Sequence, residues 1–309
     1  MTRTYHAPPP SPPPLPGVTQ RLRSALRIGA DYVHSCLRPV VHPAGAAPAL
    51  VEQGGAGGEW PGGTLRLLIW NVHRGYGGAT LAASLARLMA RLDPDVLLLQ
   101  EVPVYDEVRP FWRLPAIAPL LEGRHLAFTP MHRVDPSTPG YPFAESGLLT
   151  VSRWAPTAWD AFALPQVTHP KLGAAHDLRR VGLRLLLGQG KRRLAIYNVH
   201  LENTAPRRGR ALQAAAVAER AAALEDVDHG VLLGGDWNAF FGGFEGLYGE
   251  LAQAGFAPTL RPRTPWGTPQ IDHLFHRGVV HARARRLAVA GSDHQPVAGW
   301  VRTVGGDES

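Results

Sequence analysis

The chain has 309 residues, 45% hydrophobic and 18% charged. That is enough for one large domain plus a tail, or two small domains, and it excludes wholesale disorder. Lys+Arg 32 against Asp+Glu 25 leaves a net charge of +7, which suits polyanionic partners such as nucleic acid or anionic lipid. It equally suits an arginine-biased composition, since Lys171 and Lys191 are the only lysines. Cys36 is the sole cysteine, which excludes an intrachain disulfide. No apolar run approaches the ~18 to 20 residues of a membrane span, and prolines rather than a secretory apolar core follow Arg3. The cytoplasm is the expected location.

In chain order, residues 1–17 are dominated by proline and read as an extended tail. Residues 18–37 fit one helix with Leu22, Leu26 and Ile28 on a face, flanked by Arg21, Arg23 and Arg27. Packing on the main domain is preferred for it over a peripheral membrane contact. The glycines of 54–63 read as a linker, so the main domain is expected at 64–304. Leu65 to Asn71 reads as a strand. Thr80 to Leu92 reads as a helix with Leu81, Leu85, Leu88, Met89 and Leu92 on one face. Further strands follow at 95–102 and 147–152. Residues 181–187 and 194–201 form a hairpin around Gly188-Gln189-Gly190-Lys191. An alanine-rich helix spans 207–226, and strands 231–238, 271–276 and 295–302 complete the chain. Mixed strands and helices predict an α/β sandwich.

The polar residues share one placement. Apolar strands run into Asn71, Glu101, Asn198-Val199-His200, Asp236-Trp237-Asn238 and Asp272-His273, and Ser292-Asp293-His294 precedes the last strand. Burying such groups unpaired costs several kcal/mol (~2–7 each for amides and hydroxyls, more for charges). Strand ends can instead converge on one cleft.

These fragments resemble the endonuclease/exonuclease/phosphatase superfamily, the deoxyribonuclease-I-like fold. The matching elements are Ile69-Trp70-Asn71-Val72-His73, Leu99-Gln100-Glu101-Val102, Asn198-Val199-His200-Leu201, Gly235-Asp236-Trp237-Asn238-Ala239, Ile271-Asp272-His273 and Ser292-Asp293-His294-Gln295-Pro296-Val297. The resemblance implies a four-layer α/β sandwich, two mixed β-sheets packed face to face and flanked by helices. It also implies Mg²⁺ or Mn²⁺. By the same resemblance Glu101 is the primary metal ligand, with Asn71 beside it and Asp293 completing the site. Asp236 orients or deprotonates the attacking water, and Asn238 positions water or phosphate. His200 and His294 donate to phosphoryl oxygens, and Asp272 pairs with His294. Arg180, with Arg179 as a rival in register, and His73 are candidate phosphate contacts.

The residue chemistry agrees. Glu101, Asp236, Asn238, Asn71 and Asp293 are hard oxygen donors, suited to Mg²⁺ or Mn²⁺. No cysteine cluster or zincin His-Glu-x-x-His is present. Ser146 and Ser292 lack a nucleophile-elbow context. Trp237 reads as packing.

The expected function is a metal-dependent phosphoesterase. A nuclease is preferred, on Arg207, Arg208 and Arg210 and on Arg261, Arg263, Arg283, Arg285 and Arg286 around the Asp272 segment. A sphingomyelinase-like lipid phosphodiesterase or a small-molecule phosphodiesterase is the alternative. A non-catalytic binding protein would have lost core positions that this chain keeps. A monomer is expected.

Overall fold

The computed structural model describes residues 40–42, 48–106, 109–134, 143–168, 176–189, 193–203, 207–224, 230–239, 246–260 and 271–304. The proline-rich tail, the 18–37 helix, Arg261 and Arg263 lie outside the described residues, as do the side chains of Arg207 and Arg208.

The elements are β1 Val40–His42, β2 Val51–Gln53, β3 Thr64–Asn71, α1 Gly78–Leu92, β4 Val96–Val104, α2 Ala118–Leu121, β5 His125–Val134 and β6 Glu145–Ser152. There follow β7 Ala158–Ala163, β8 Gln166–Thr168, β9 His176–Leu178, β10 Val181–Leu187, β11 Leu194–His200, α3 Arg207–Ala222 and β12 Val231–Asp236. The last are α4 Gly246–Gln253, β13 Ala257–Pro258, β14 Asp272–Arg277, β15 His281–Arg286 and β16 Val297–Arg302. One sheet has the order β13-β14-β12-β11-β10-β7. The other has the order β15-β16-β3-β4-β6-β5-β2, with β9 added on β5.

Side-chain alternation builds the layers. Along β3, Leu65, Leu67 and Ile69 face the second sheet, where they meet Leu185, Ile196, Leu232 and Leu274 in one buried cluster. Leu68 and Trp70 point the other way, under Leu81, Leu85 and Leu88 of α1. On the second sheet Tyr197, Val199 and Leu233 point outward under Ala214, Val217 and Leu247 of α3 and α4. Helix, sheet, sheet and helix make a four-layer α/β sandwich. Each fully buried Leu stabilises by roughly 1.5–3 kcal/mol. Among the described residues no helix is long and apolar enough to cross a membrane.

One boundary changes. The glycines of 54–63 are not a spacer. β2 pairs with β5, Glu59 bridges to Ala155, and Trp60 is buried in the inter-sheet core. A Cβ on Gly57 would lie 1.7 Å from the Arg153 carbonyl oxygen, so glycine here permits a close backbone approach.

Candidate active site

Strand register brings the polar fragments together. β3 and β4 are parallel, with Asn71 beside Gln100. β11 and β12 are parallel, with His200 beside Asp236, and β14 runs antiparallel with Asp272 opposite Asp236. Asn71 bridges the two sheets, because its Nδ2 lies 2.9 Å from Asp236 Oδ2 and 3.4 Å from Glu101 Oε1. The loop between β15 and β16 closes over β3. Ser292 Oγ donates to the Asn71 carbonyl at 2.7 Å, the His294 amide donates to Ser292 Oγ, and Trp70 Nε1 donates to the His294 carbonyl.

Backbone strain concentrates here. The described non-glycine residues with positive φ are His73, Arg74, Asp93, Glu101 and Asn238. All but Asp93, which caps α1, line this site. Glu101 (φ 52) sits where the β4–β6 register shifts, so a β-bulge turns its carboxylate toward Asn71. Such conformations cost about 1–3 kcal/mol each and persist where the surrounding packing enforces them. Gly235 (φ 143) lets β12 approach β11, since a Cβ there would lie 2.0 Å from the Val199 carbonyl oxygen.

The acid–base groups form a chain. Asp272 Oδ2 is 2.9 Å from His294 Nδ1, and His294 Nε2 is 3.7 Å from Asp236 Oδ2. His200 Nε2 approaches the same Asp236 oxygen at 3.4 Å. The Asn238 amide donates to Asp236 Oδ1 at 3.0 Å. Burial, then the nearby Asp272 charge, raises the Asp236 pKa to about 7. Burial opposes the charging of His294, but it is outweighed by the hydrogen bond and charge of Asp272 and by the charges of Asp236 and Asp293. The His294 pKa is therefore raised to about 10. Burial, with the positive charges of Arg180, His294 and Arg74, holds His200 well below the ordinary histidine value. Asp272 is itself raised by burial. At neutral pH the site thus holds one charged and one neutral imidazole.

Two oxygen-rich positions are open to a cation. Asp236, Asp272 and His294 each bring one ligand atom within 4.8 Å of the others. Glu101 and Asn71 form the second, where Glu101 Oε2 is buried without an aligned hydrogen bond. The guanidinium of Arg74 lies 3.0 Å from that oxygen as an ion pair. The Glu101–Asn71 side offers oxygen donors and no imidazole, so it fits a hard divalent cation better.

Of the sequence candidates, Asn71, Glu101, His200, Asp236, Asn238, Asp272 and His294 converge. Asp293 is 58% exposed on the rim, where it lies 3.3 Å from Ser292 Oγ, 3.2 Å from His73 Nδ1 and 4.0 Å from His294 Nε2. Arg180 is buried and bonded to Glu202 at 3.2 and 3.3 Å, a structural pairing behind His200. Arg179 is exposed. Asn238 Nδ2 is spent on the Leu201 carbonyl. Trp237 packs edge-on against Phe275. Arg210 is buried, with Nη1 3.4 Å from the Glu202 carbonyl, so it does not belong to a surface cluster. Two contributors went unassigned in the sequence. Arg74 could have been found as the cation next to His73. Gln100 donates to Asn198 Oδ1 at 2.7 Å, and Asn198 Nδ2 reaches the Leu99 and Leu149 carbonyls, which clamps the sheets under the site.

Solved structures share this fold. An endonuclease/exonuclease/phosphatase from Beutenbergia cavernae DSM 12333 is 20% identical, with 80% of this chain and 73% of that one covered and a TM-score of 0.58. The human Nocturnin catalytic domain with bound sulfate is 18% identical, covering 83% and 97%, with a TM-score of 0.57. ANGEL2, a 2′,3′-cyclic phosphatase in complex with adenosine-2′,3′-vanadate, is 14% identical, covering 84% and 99%, with a TM-score of 0.52. At these identities the likeness is one of fold. No curated protein matches the chain. The sequence profile described as Endonuclease/Exonuclease/phosphatase family matches residues 68–294, from the middle of β3 to the catalytic histidine candidate. The chain belongs to the Endonuclease/Exonuclease/phosphatase family.

Proposed function

We propose that the protein hydrolyses phosphodiesters with the help of Mg²⁺ or Mn²⁺, and that its substrates are nucleic acids. The observation that carries this reading is the placement of His294 Nε2 3.7 Å from Asp236 Oδ2, with Nδ1 held by Asp272. A carboxyl group whose pKa is raised to about 7 faces an imidazole whose pKa is raised to about 10. Paired groups whose pKa values are pushed apart mark a base and an acid.

Glu101 and Asn71 would hold the cation. Once bound, it neutralises phosphate charge and makes water a better nucleophile. Asp236 orients the attacking water and takes its proton, and the Asn71 amide and Asn238 backbone N–H fix its two oxygens in place. His294 donates a hydrogen bond from Nε2 to a phosphoryl oxygen, where negative charge builds up, and passes that proton to the departing oxygen as the P–O bond to the leaving group breaks. Asp272 keeps that imidazole charged and oriented. His200, kept neutral by burial and nearby positive charge, has a single N–H, which from Nε2 beside Asp236 would turn to the phosphoryl oxygen. Asn238 acts through its backbone and by pinning the Leu201 carbonyl. Asp293 and His73 form the rim. Arg74 lies half-exposed over the Phe143 ring at 5.8 Å and is the phosphate contact we favour over Arg180.

Support for nucleic acid comes from Arg74 and Arg286 bordering these carboxylates. A related fold that carries an adenosine-2′,3′-vanadate adds to it. The test is a substrate panel with Mg²⁺, Mn²⁺ or EDTA: labelled single-stranded oligonucleotide, sphingomyelin and p-nitrophenyl phosphate. Metal-dependent oligonucleotide cleavage supports the reading. Phosphocholine release without oligonucleotide cleavage would replace it with the lipid phosphodiesterase alternative.

A further inference from the structure

β15 and β16 form a hairpin at one edge of the eight-stranded sheet, and its loop carries Ser292, Asp293 and His294. His281, Arg283 and Arg285 alternate onto one face of β15, and all are exposed. Trp300 of β16 stands opposite Arg283 on that face. The guanidinium carbons of Arg283 and Arg285 lie 5.1 and 5.3 Å from its ring centroid. Arg302, also exposed, stands opposite His281.

Among the described residues, no carboxylate pairs with Arg283, Arg285 or Arg302. Two like charges side by side on a strand repel, and an indole face offsets that only in part (about 0.5–1 kcal/mol per exposed cation). The indole also holds both guanidiniums in place. Planar donors fixed in advance lose little entropy when they bind phosphate oxygens in pairs.

The row has a direction. β15 ends at Arg286, whose positive charge reaches Asp272, and β16 begins three residues after His294. Arg285 is therefore at the end of the hairpin near the reacting groups. Arg283 and then His281 and Arg302 lie further down, in steps of roughly 7 Å (two residues of strand). Asp236 is 1% exposed, and duplex DNA is stiff over ~150 base pairs. A flexible single strand reaches such a recessed carboxylate more readily.

We infer that this hairpin face binds the backbone of single-stranded nucleic acid running out of the active site. The inference rests on the phosphoesterase reading and deepens it, because it makes the substrate a polymer several nucleotides long. An anionic membrane would ask for apolar side chains to insert. Here the aromatic ring lies beneath the arginines, and the exposed apolar residues at the hairpin are Val280 and Val304 at its ends and the small Ala288 and Ala290 in its loop.

Two measurements on the full chain test it together. Fluorescence anisotropy follows a labelled 20-nucleotide single strand binding in EDTA. Hydrolysis of bis(p-nitrophenyl) phosphate is followed in Mn²⁺. For Arg283→Glu/Arg285→Glu, and less strongly for Arg283→Gln/Arg285→Gln, oligonucleotide binding should weaken at least ~10-fold. The slope of log K against log salt should fall by about 1.4 (~0.7 per lost phosphate contact), and small-diester turnover should stay within about twofold. Unchanged oligonucleotide binding would overturn the inference. So would arginine-dependent binding to phosphatidylserine vesicles by a wild type that ignores the oligonucleotide. If wild type binds the strand through these arginines but hydrolyses no diester under any metal, the surface stands and the phosphoesterase reading fails.

Discussion

His294 Nδ1 lies 2.9 Å from Asp272 Oδ2, and this contact keeps a largely buried imidazole charged. Removing the charge of Asp272 while keeping its shape should therefore act on His294. In Asp272→Asn the His294 pKa should fall from about 10 toward the ordinary ~6.5. NMR titration of the ring protons in metal-free protein reads this directly. Diester hydrolysis should fall by about 10²–10⁴-fold, the usual range for a lost general acid, and its alkaline limb should move to lower pH. An unmoved titration would mean that Asp272 does not set the charge.

Asp236 and His294 should each remove stability from the metal-free protein as pH rises, while His200, held below its ordinary value, works in the opposite sense. Asp236 is raised from 3.8 to about 7 and His294 from 6.5 to about 10. In both cases the folded chain holds its proton more tightly than the unfolded chain, so raising pH favours unfolding. Asp236 contributes between about pH 4 and 7, and His294 between about pH 6.5 and 10. Urea denaturation of wild type and Asp236→Asn in EDTA separates them. The wild type should lose about 1–3 kcal/mol relative to the variant between pH 4 and 7. Parallel pH profiles would contradict the Asp236 assignment.

Much of this site was legible because strand ends are a poor place to hide polar groups. Asn71, His200, Asp236 and Asp272 each terminate or begin an apolar strand, and parallel or antiparallel register alone then brings them together. The order of the strands in the sheets was not legible, since register depends on pairing partners far apart in the chain. β5 was missed because Pro130 interrupts a run that the structure accommodates with a register shift between Pro130 and His132. The packing of the 54–63 segment is not legible, because glycines that permit close approach look the same in sequence as glycines that permit freedom. The pairing of Arg180, a candidate phosphate contact alongside Arg179, with Glu202 is not legible, because the two lie 22 residues apart.

Arg180 and Glu202 make a buried ion pair at 3% and 6% side-chain exposure. Breaking it from one side leaves a charge without its partner. Arg180→Met should cost about 3–5 kcal/mol, and Arg180→Met/Glu202→Met should recover most of that. A double-mutant cycle by urea denaturation measures it. If Arg180→Met instead leaves stability unchanged and raises KM alone, Arg180 contacts substrate after all.

Glu101 is held at φ 52 on a bulge, a conformation that glycine adopts without strain. Glu101→Gly should relieve that strain (about 1–3 kcal/mol) while giving up the Arg74 ion pair and the Asn71 contact, so the Tm in EDTA should stay within a few degrees of wild type (~2–4 °C per kcal/mol). The same change should weaken Mn²⁺ binding at least ~10-fold by isothermal titration calorimetry. A destabilised variant that still binds Mn²⁺ normally would remove Glu101 from the metal site.

The most direct test of the account is the hydrolysis of bis(p-nitrophenyl) phosphate in saturating Mn²⁺ by wild type, Asp236→Asn and His294→Ala, with folding checked by circular dichroism. Wild type should turn the diester over, EDTA should abolish that turnover, and each folded variant should lose about 10²–10⁴-fold. Turnover that survives EDTA, or that stays within about twofold of wild type in either variant, would contradict it.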